Sequence, residues 1–188
     1  MSIYKNESLK RYTDDLSARM PAPGGGSAAS LNACLGASLI SMVVNFTLGK
    51  PKYARHEKEL KEILAASEKL KEQFLEMVDL DVEAYRSKNI RDSLHVVFML
   101  ARLCFEGIKL CPPLINKGNR NLISDVACAA ILLEGALASA YFNVEINLKT
   151  LNDNKLSGKI RKELSVKLKK ARALRHKTEE KIGKIIRG

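Results

Sequence analysis

Apolar positions recur along this chain at helical spacing, and one stretch is set apart by the polar groups it lacks. Residues 24–49 hold not one charged side chain, although Asp, Glu, Lys and Arg make up 28% of the sequence, so this stretch is expected to be shielded from water on most of its sides. Pro21 and Pro23, followed by Gly24-Gly25-Gly26, do not continue a regular element, whereas Ser27 is a good N-cap. A central helix is therefore predicted over 27–48, stopped by Gly49. Ala29, Ala33 and Ala37 give it a small-residue face that lets another backbone come close. A second alanine-rich helix is predicted over 126–148, carrying Ala129, Ala130, Gly135, Ala136 and Ala140, and the two are natural partners.

Around this pair the same reading places a short amphipathic helix over 4–20 as a lid, with Leu9, Tyr12, Leu16 and Met20 in register. It places a long surface helix over 53–87 and an apolar helix over 94–110, which Pro112-Pro113 bends or stops. After a break at 150–153 a last helix runs toward Arg187 with Leu156, Ile160, Leu164 and Leu168 as its stripe. No segment reads as a strand. Six helical segments joined by short turns imply an all-α antiparallel helical bundle with two long alanine-rich core helices, in a single domain over 1–188.

Composition changes this picture in three places. The net charge of +11 is concentrated in residues 149–188, where 14 Lys and Arg face 4 Asp and Glu. Such a tail is able to neutralise phosphates, but it has no interleaved aromatics to stack on bases, so a solvated basic helix is expected rather than a nucleic-acid reader. Cys34, Cys104, Cys111 and Cys128 stand singly without C-x-x-C spacing and are expected to be buried small hydrophobes in a reducing, cytoplasmic setting. The first 20 residues are interrupted by charges and do not form a secretory signal. Residues 28–48 are long enough to span a bilayer, yet Asn32, Asn45, Ser30, Ser38, Ser41 and Thr47 favour a buried helix over a membrane span.

Candidate chemistry clusters at helix ends. Gly24, Gly25, Gly26 and Ser27 place side-chain-free backbone at a helix amino end, which suits an anion or a carbonyl oxygen. Lys50, Lys52 and Tyr53 follow the other end of that helix, and Asp79, Asp81 and Tyr85 close the long helix. The loop Gly118-Asn119-Arg120-Asn121-Leu122-Ile123-Ser124-Asp125 opens the second alanine-rich helix; Asn121 or Ser124 is suited to cap it, and Asp125 in its first turn reads on its own as an acid answering the helix dipole. Asn143 and Asn147 lie one turn apart near that helix's end. His56, His95 and His176 show no ligand spacing, and no metal is expected.

Taken together these stretches resemble the cyclodeaminase and methenyltetrahydrofolate cyclohydrolase family of folate enzymes. The matching residues are Pro21 to Ser27, Leu35-Gly36-Ala37, Ser41 to Thr47, Gly49 to Tyr53, Asp79, Asp81, Ala84 and Tyr85, the 118–125 loop, and Asn143-Val144-Glu145-Ile146-Asn147. The resemblance implies an all-helical homodimer acting on a tetrahydrofolate derivative that carries a one-carbon unit at N5 and N10, with no cofactor beyond that substrate. It raises Asp125 and Asp81 to candidate catalytic acids. It raises Gly24, Gly25, Gly26, Ser27, Asn45, Lys50, Lys52, Tyr53, Asn119 and Asn121 to candidate substrate-binding residues, with Lys50 and Lys52 meeting the folate glutamate. The chain departs from the family pattern between Tyr85 and Ser93, where a longer connection is usual, and at Pro112-Pro113. The 24–27 and 119–125 loops are expected to share a folate-sized cleft, within one chain or across the dimer.

Overall fold

The computed structural model describes residues 4–188. These form α1 (Leu9–Ser17), α2 (Gly25–Asn45), α3 (Glu57–Arg86), α4 (Ile90–Ile108), α5 (Cys111–Lys117), α6 (Ile123–Leu151) and α7 (Asn154–Arg187), with short 3-10 turns at Pro51–His56 and Arg120–Leu122. The short α5 adds to the six segments expected, because Pro112 and Pro113 sit in its first turn, where an amide would have no intrahelical acceptor. Between the long helices the chain turns on single residues in left-handed conformation, Lys88 after α3 and Asn152 after α6. Asn89 and Asp153 then cap the helices that follow by accepting from the amides of Arg91 and Leu156.

The two alanine-rich helices pack side by side and antiparallel. Asn32 Nδ2 of α2 donates to the Leu132 carbonyl of α6 at 3.0 Å, Gly36 lies against Leu133 and the Ala129 carbonyl, and Gly25 lies against Asn143. On its other flank α2 runs antiparallel to α3, where Ser41 and Ser67 share a buried hydroxyl contact of 2.8 Å and Ser27 reaches Val78. α6 in turn packs on α4, α5 and α7. One continuous core results, built on Ala33, Ala37, Ile40, Phe74, Leu100, Leu133, Leu137 and Leu164, all fully buried. A separate small cluster of Tyr4, Tyr12, Ala22, Val78 and Val82 seats the amino-terminal segment on α3.

Four expectations need correction. α1 is shorter than 4–20, and of its supposed stripe only Tyr12 is buried, Leu9, Leu16 and Met20 being exposed. α2 begins at Gly25 with Gly24 in the capping position, so Ser27 is not the cap; its hydroxyl is drawn inward instead. Neither Asn121 nor Ser124 caps α6: Leu122 holds that position without a side-chain bond, and Asn119 caps the preceding 3-10 turn. Three cysteines are buried as expected, but Cys128 is exposed on α6.

Two helical stretches, Gly25–Asn45 and Arg120–Leu151, are long and apolar enough to cross a membrane by length and composition. Burial inside the bundle accounts for 61% of the first apolar window and only 39% of the second, so α6 keeps an uncovered apolar face that includes Ile131, Phe142 and Ile146.

A Cβ built on Gly36 would stand 2.8 Å from Leu133 Cγ, a branch point that has nowhere to swing. Gly36→Val is expected to lower unfolding stability in urea by about 1–3 kcal/mol or more. Gly158→Ala, where nothing lies within 4 Å, is the control and is expected to be neutral or to gain up to about 1 kcal/mol.

Candidate active site at the amino end of α2

The sequence candidates fall into two groups at opposite ends of α2. At its amino end, Ser27 N–H donates to Asp81 Oδ2 at 2.9 Å, and the carboxylate lies directly over Gly26, where a Cβ would meet Asp81 Oδ1 at 2.1 Å. No residue but glycine fits under that carboxylate without moving it. On the other side Gly25 faces the Asn143 amide, whose Nδ2 donates back to the Ser139 carbonyl. α2 thus enters the bundle wedged between Asp81 of α3 and Asn143 of α6. One turn further along each neighbour stand Tyr85 and Asn147, which line a cleft of about 530 Å³ together with Arg86, Lys88, Ile90, Ser93 and Thr150.

Two opposing influences act on Asp81. Burial pushes its carboxyl above the usual carboxylate value, and the Ser27 amide partly offsets this by favouring the ionised form. The result is an acid that is easier to protonate than an exposed aspartate, one helical turn before Tyr85, which lines the cleft. Its neighbour Asp79 is structural. It is buried and accepts from the backbone amides of Tyr4 at 2.6 Å and Lys5 at 3.3 Å, fastening the amino-terminal segment to α3.

At the carboxyl end of α2 the groups mostly serve the fold. Asn119 is buried; its amide donates to Thr47 Oγ1 at 2.8 Å, Nδ2 donates to the Phe46 carbonyl, and Oδ1 accepts from Asn121 N–H. The buried Tyr53 hydroxyl accepts from the Arg120 amide at 3.3 Å. Lys50, Asn45 and Asn121 are exposed, and Lys52 lies over the Tyr53 ring. Asp125 sits partly buried in the first turn of α6. The cavity here measures about 110 Å³, below the roughly 300 Å³ at which small-molecule sites begin.

At about 1.5 Å per residue the twenty residues from Ser27 to Thr47 span roughly 30 Å. Within one chain the 24–27 and 119–125 loops therefore share no cleft, and Asp81 and Asp125 do not act on the same atom. Lys50 and Lys52 are likewise remote from the Asp81 cleft, whose nearest cations are Arg86 and Lys88. Sequence reading passed over both, since charges at a helix end look like ordinary solvated residues, and it saw Tyr12 only as a core position.

A family model described as formiminotransferase-cyclodeaminase matches residues 8–88 and 87–166. The chain belongs to that family. The two pieces of the match meet at the turn between α3 and α4, where the connection was expected to be short. Among the relatives of this cyclodeaminase-family chain is a methenyltetrahydrofolate cyclohydrolase of Methylorubrum extorquens, 34% identical over 94% of this chain and 96% of that protein. A rat formimidoyltransferase-cyclodeaminase is 29% identical over 88% of this chain but 35% of its own length, so this chain corresponds to about a third of that protein. The crystal structure of a formiminotetrahydrofolate cyclodeaminase from Thermotoga maritima superposes with a TM-score of 0.82 at 27% identity, covering 98% of both chains.

Because the folded carboxyl of Asp81 is raised above its unfolded value of about 3.9, its stabilising contribution is complete below that pH and is lost as pH rises through the folded value. Asp81→Asn keeps an oxygen for the Ser27 amide and never ionises. Its melting temperature relative to the parent is expected to rise from pH 4 to pH 8; a relative fall over that range would show that the native site favours the charged carboxylate.

Proposed function

We propose that this chain is a one-carbon folate enzyme that opens or closes the N5–N10 bridge of tetrahydrofolate, with the α2 entry and Asp81 at the reacting end of its site. The observation that carries this reading is the carboxylate held over bare backbone at the entry of α2, one turn before Tyr85 at the 530 Å³ cleft. Hydrolysis of 5,10-methenyltetrahydrofolate is the first reading, supported by the full-length likeness to a cyclohydrolase. Water adds to the bridging carbon, losing a proton to a base as the amidinium electrons move onto nitrogen. The hydroxyl then gives up its remaining proton and forms the C=O bond as the C–N5 bond breaks and N5 takes a proton, leaving the 10-formyl product. Closure of 5-formiminotetrahydrofolate is the second reading, supported by the Thermotoga fold neighbour: N10 attacks the formimino carbon and ammonia leaves after protonation. Both reactions pass through a tetrahedral carbon between nitrogens and a delocalised cation, which a nearby carboxylate stabilises while passing protons. Neither moves electrons to or from the substrate, so no cofactor beyond the folate is required.

The second part of the proposal is a homodimer. Leu35, half exposed, is the middle residue of α2, and Ile131, Cys128 and Phe46 are exposed with it on the α2–α6 side. An isologous twofold contact centred there sets α2 antiparallel to its copy and brings the amino end of each against the carboxyl end of the other. Asp125, Asn45, Asn121, Lys50 and Lys52 of one copy would then join Gly24, Gly25, Gly26, Ser27 and Asp81 of the next, reuniting the groups that one chain separates. The same contact offers an occupant other than lipid for the apolar faces, and the free thiols suit a cytoplasmic setting. The basic α7 reads as a packed structural helix: Arg161 pairs with Glu145, Arg172 and Arg175 with Glu134, and its own Glu163 takes Arg102.

Absorbance of 5,10-methenyltetrahydrofolate is the test. The protein is expected to consume it, or to form it from the formimino substrate, and to sediment as a dimer. Leu35→Asp is expected to give a folded monomer without turnover. A fully active monomer would overturn the dimer, and absence of both activities would overturn the reaction assignment.

A further inference from the structure

The hydroxyl of Ser27 is fully buried and donates its single proton to the Val78 carbonyl at 2.9 Å. Its 3.1 Å contact with the Tyr12 hydroxyl is therefore donated by the phenol. Ser27 is thus held at three points: the hydroxyl accepts from α1, donates to α3, and the amide donates to the Asp81 carboxylate one turn beyond Val78. Tyr12 is itself immobilised. Its ring is 5% exposed, packs with Val78 and Val82 on either side of Asp81 along α3, and meets Tyr4 edge-on at 5.4 Å. Tyr4 in turn is anchored by its amide to Asp79 and by its hydroxyl to Asp15.

We propose that Tyr12 is a positioning residue for the reaction: through the Ser27 hydroxyl it fixes the first turn of α2, so that the Ser27 amide holds the Asp81 carboxylate in one orientation at the cleft. This inference rests on the reading of Asp81 as the reacting acid. It gives the amino-terminal segment a role beyond covering the bundle, because removal of one phenolic oxygen leaves the packing of α1 in place but takes away one of the three contacts that fix Ser27, and so loosens the Ser27–Asp81 pair.

The test uses Tyr12→Phe, Ser27→Ala, their double variant and Asp81→Asn in the full chain, each assayed for turnover of methenyltetrahydrofolate. Tyr12→Phe is expected to lower kcat about tenfold with KM changed less than about twofold and with melting close to the parent's, since a misoriented acid slows the chemical step without weakening folate binding. In the Ser27→Ala background the same substitution is expected to have no further effect, because the link it acts through is gone. A Tyr12→Phe protein with parental kcat, one that raises only KM, or a loss that adds to that of Ser27→Ala would overturn the role of Tyr12 while leaving Asp81 in place. Full turnover by Asp81→Asn would instead remove the reading of Asp81 itself, and the inference with it.

Discussion

The closeness with which α2 enters between α3 and α6 is the constraint on which the rest of this structure depends. A helix without charge over its whole length has to be covered on most sides, and here it is covered at separations that allow no ordinary side chain at the tightest points. Gly36 meets Leu133, Gly26 meets Asp81 and Gly25 meets Asn143, so the small residues are the contact surface itself. Close backbone approach also explains the polar groups inside an apolar bundle. Ser27, Ser41 and Asn32 each find a partner on a neighbouring helix because the neighbour is near enough to be reached by a short side chain.

The same constraint shapes the candidate site. Where α2 begins, its first amides have no intrahelical acceptor, and the chain meets them with a carboxylate from α3. That carboxylate lies over Gly26 and is partly buried, which raises its affinity for a proton, while the cleft one turn beyond remains open between the ends of α3, α4 and α6. The carboxyl end of α2, by contrast, is closed by Asn119, Thr47 and Tyr53 into a compact joint. Motif residues at both ends of one helix lie roughly 30 Å apart, and the proposed twofold partner centred near Leu35 would bring them together.

Much of this was legible in the sequence. The charge-free stretch and the two alanine-rich runs identify α2 and α6 as partners, and the apolar periods give α3, α4 and α7 nearly to their ends. The errors are local and have physical causes. Ser27 has the chemistry of an N-cap, but Gly24 takes the capping conformation and the serine is drawn to Val78 and Tyr12, a tertiary bond that no local pattern reveals. Leu16 and Met20 keep helical spacing with Tyr12, yet α1 presents only a narrow face to α3 and leaves them in water. Asp81 and Asp125 were expected to share a cleft within one chain or across a dimer; the direction of α2, which follows from packing rather than from spacing, separates them within one chain and leaves only the second arrangement. The role of Asn119 as a joint was hidden because its partners, Phe46 and Thr47, lie more than seventy residues away.

In the proposed dimer the reacting site is assembled from Asp81 of one copy and Asp125 of another, an arrangement that subunit complementation reads out. Asp81→Asn and Asp125→Asn proteins, each expected to fold and to be inactive alone, are co-expressed and the mixed dimers assayed with methenyltetrahydrofolate. Every hybrid dimer then contains one site with both substitutions and one with neither, so random pairing is expected to restore about a quarter of parental turnover. Hybrid dimers that form and remain inactive, or an Asp125→Asn protein that is active by itself, would contradict the account.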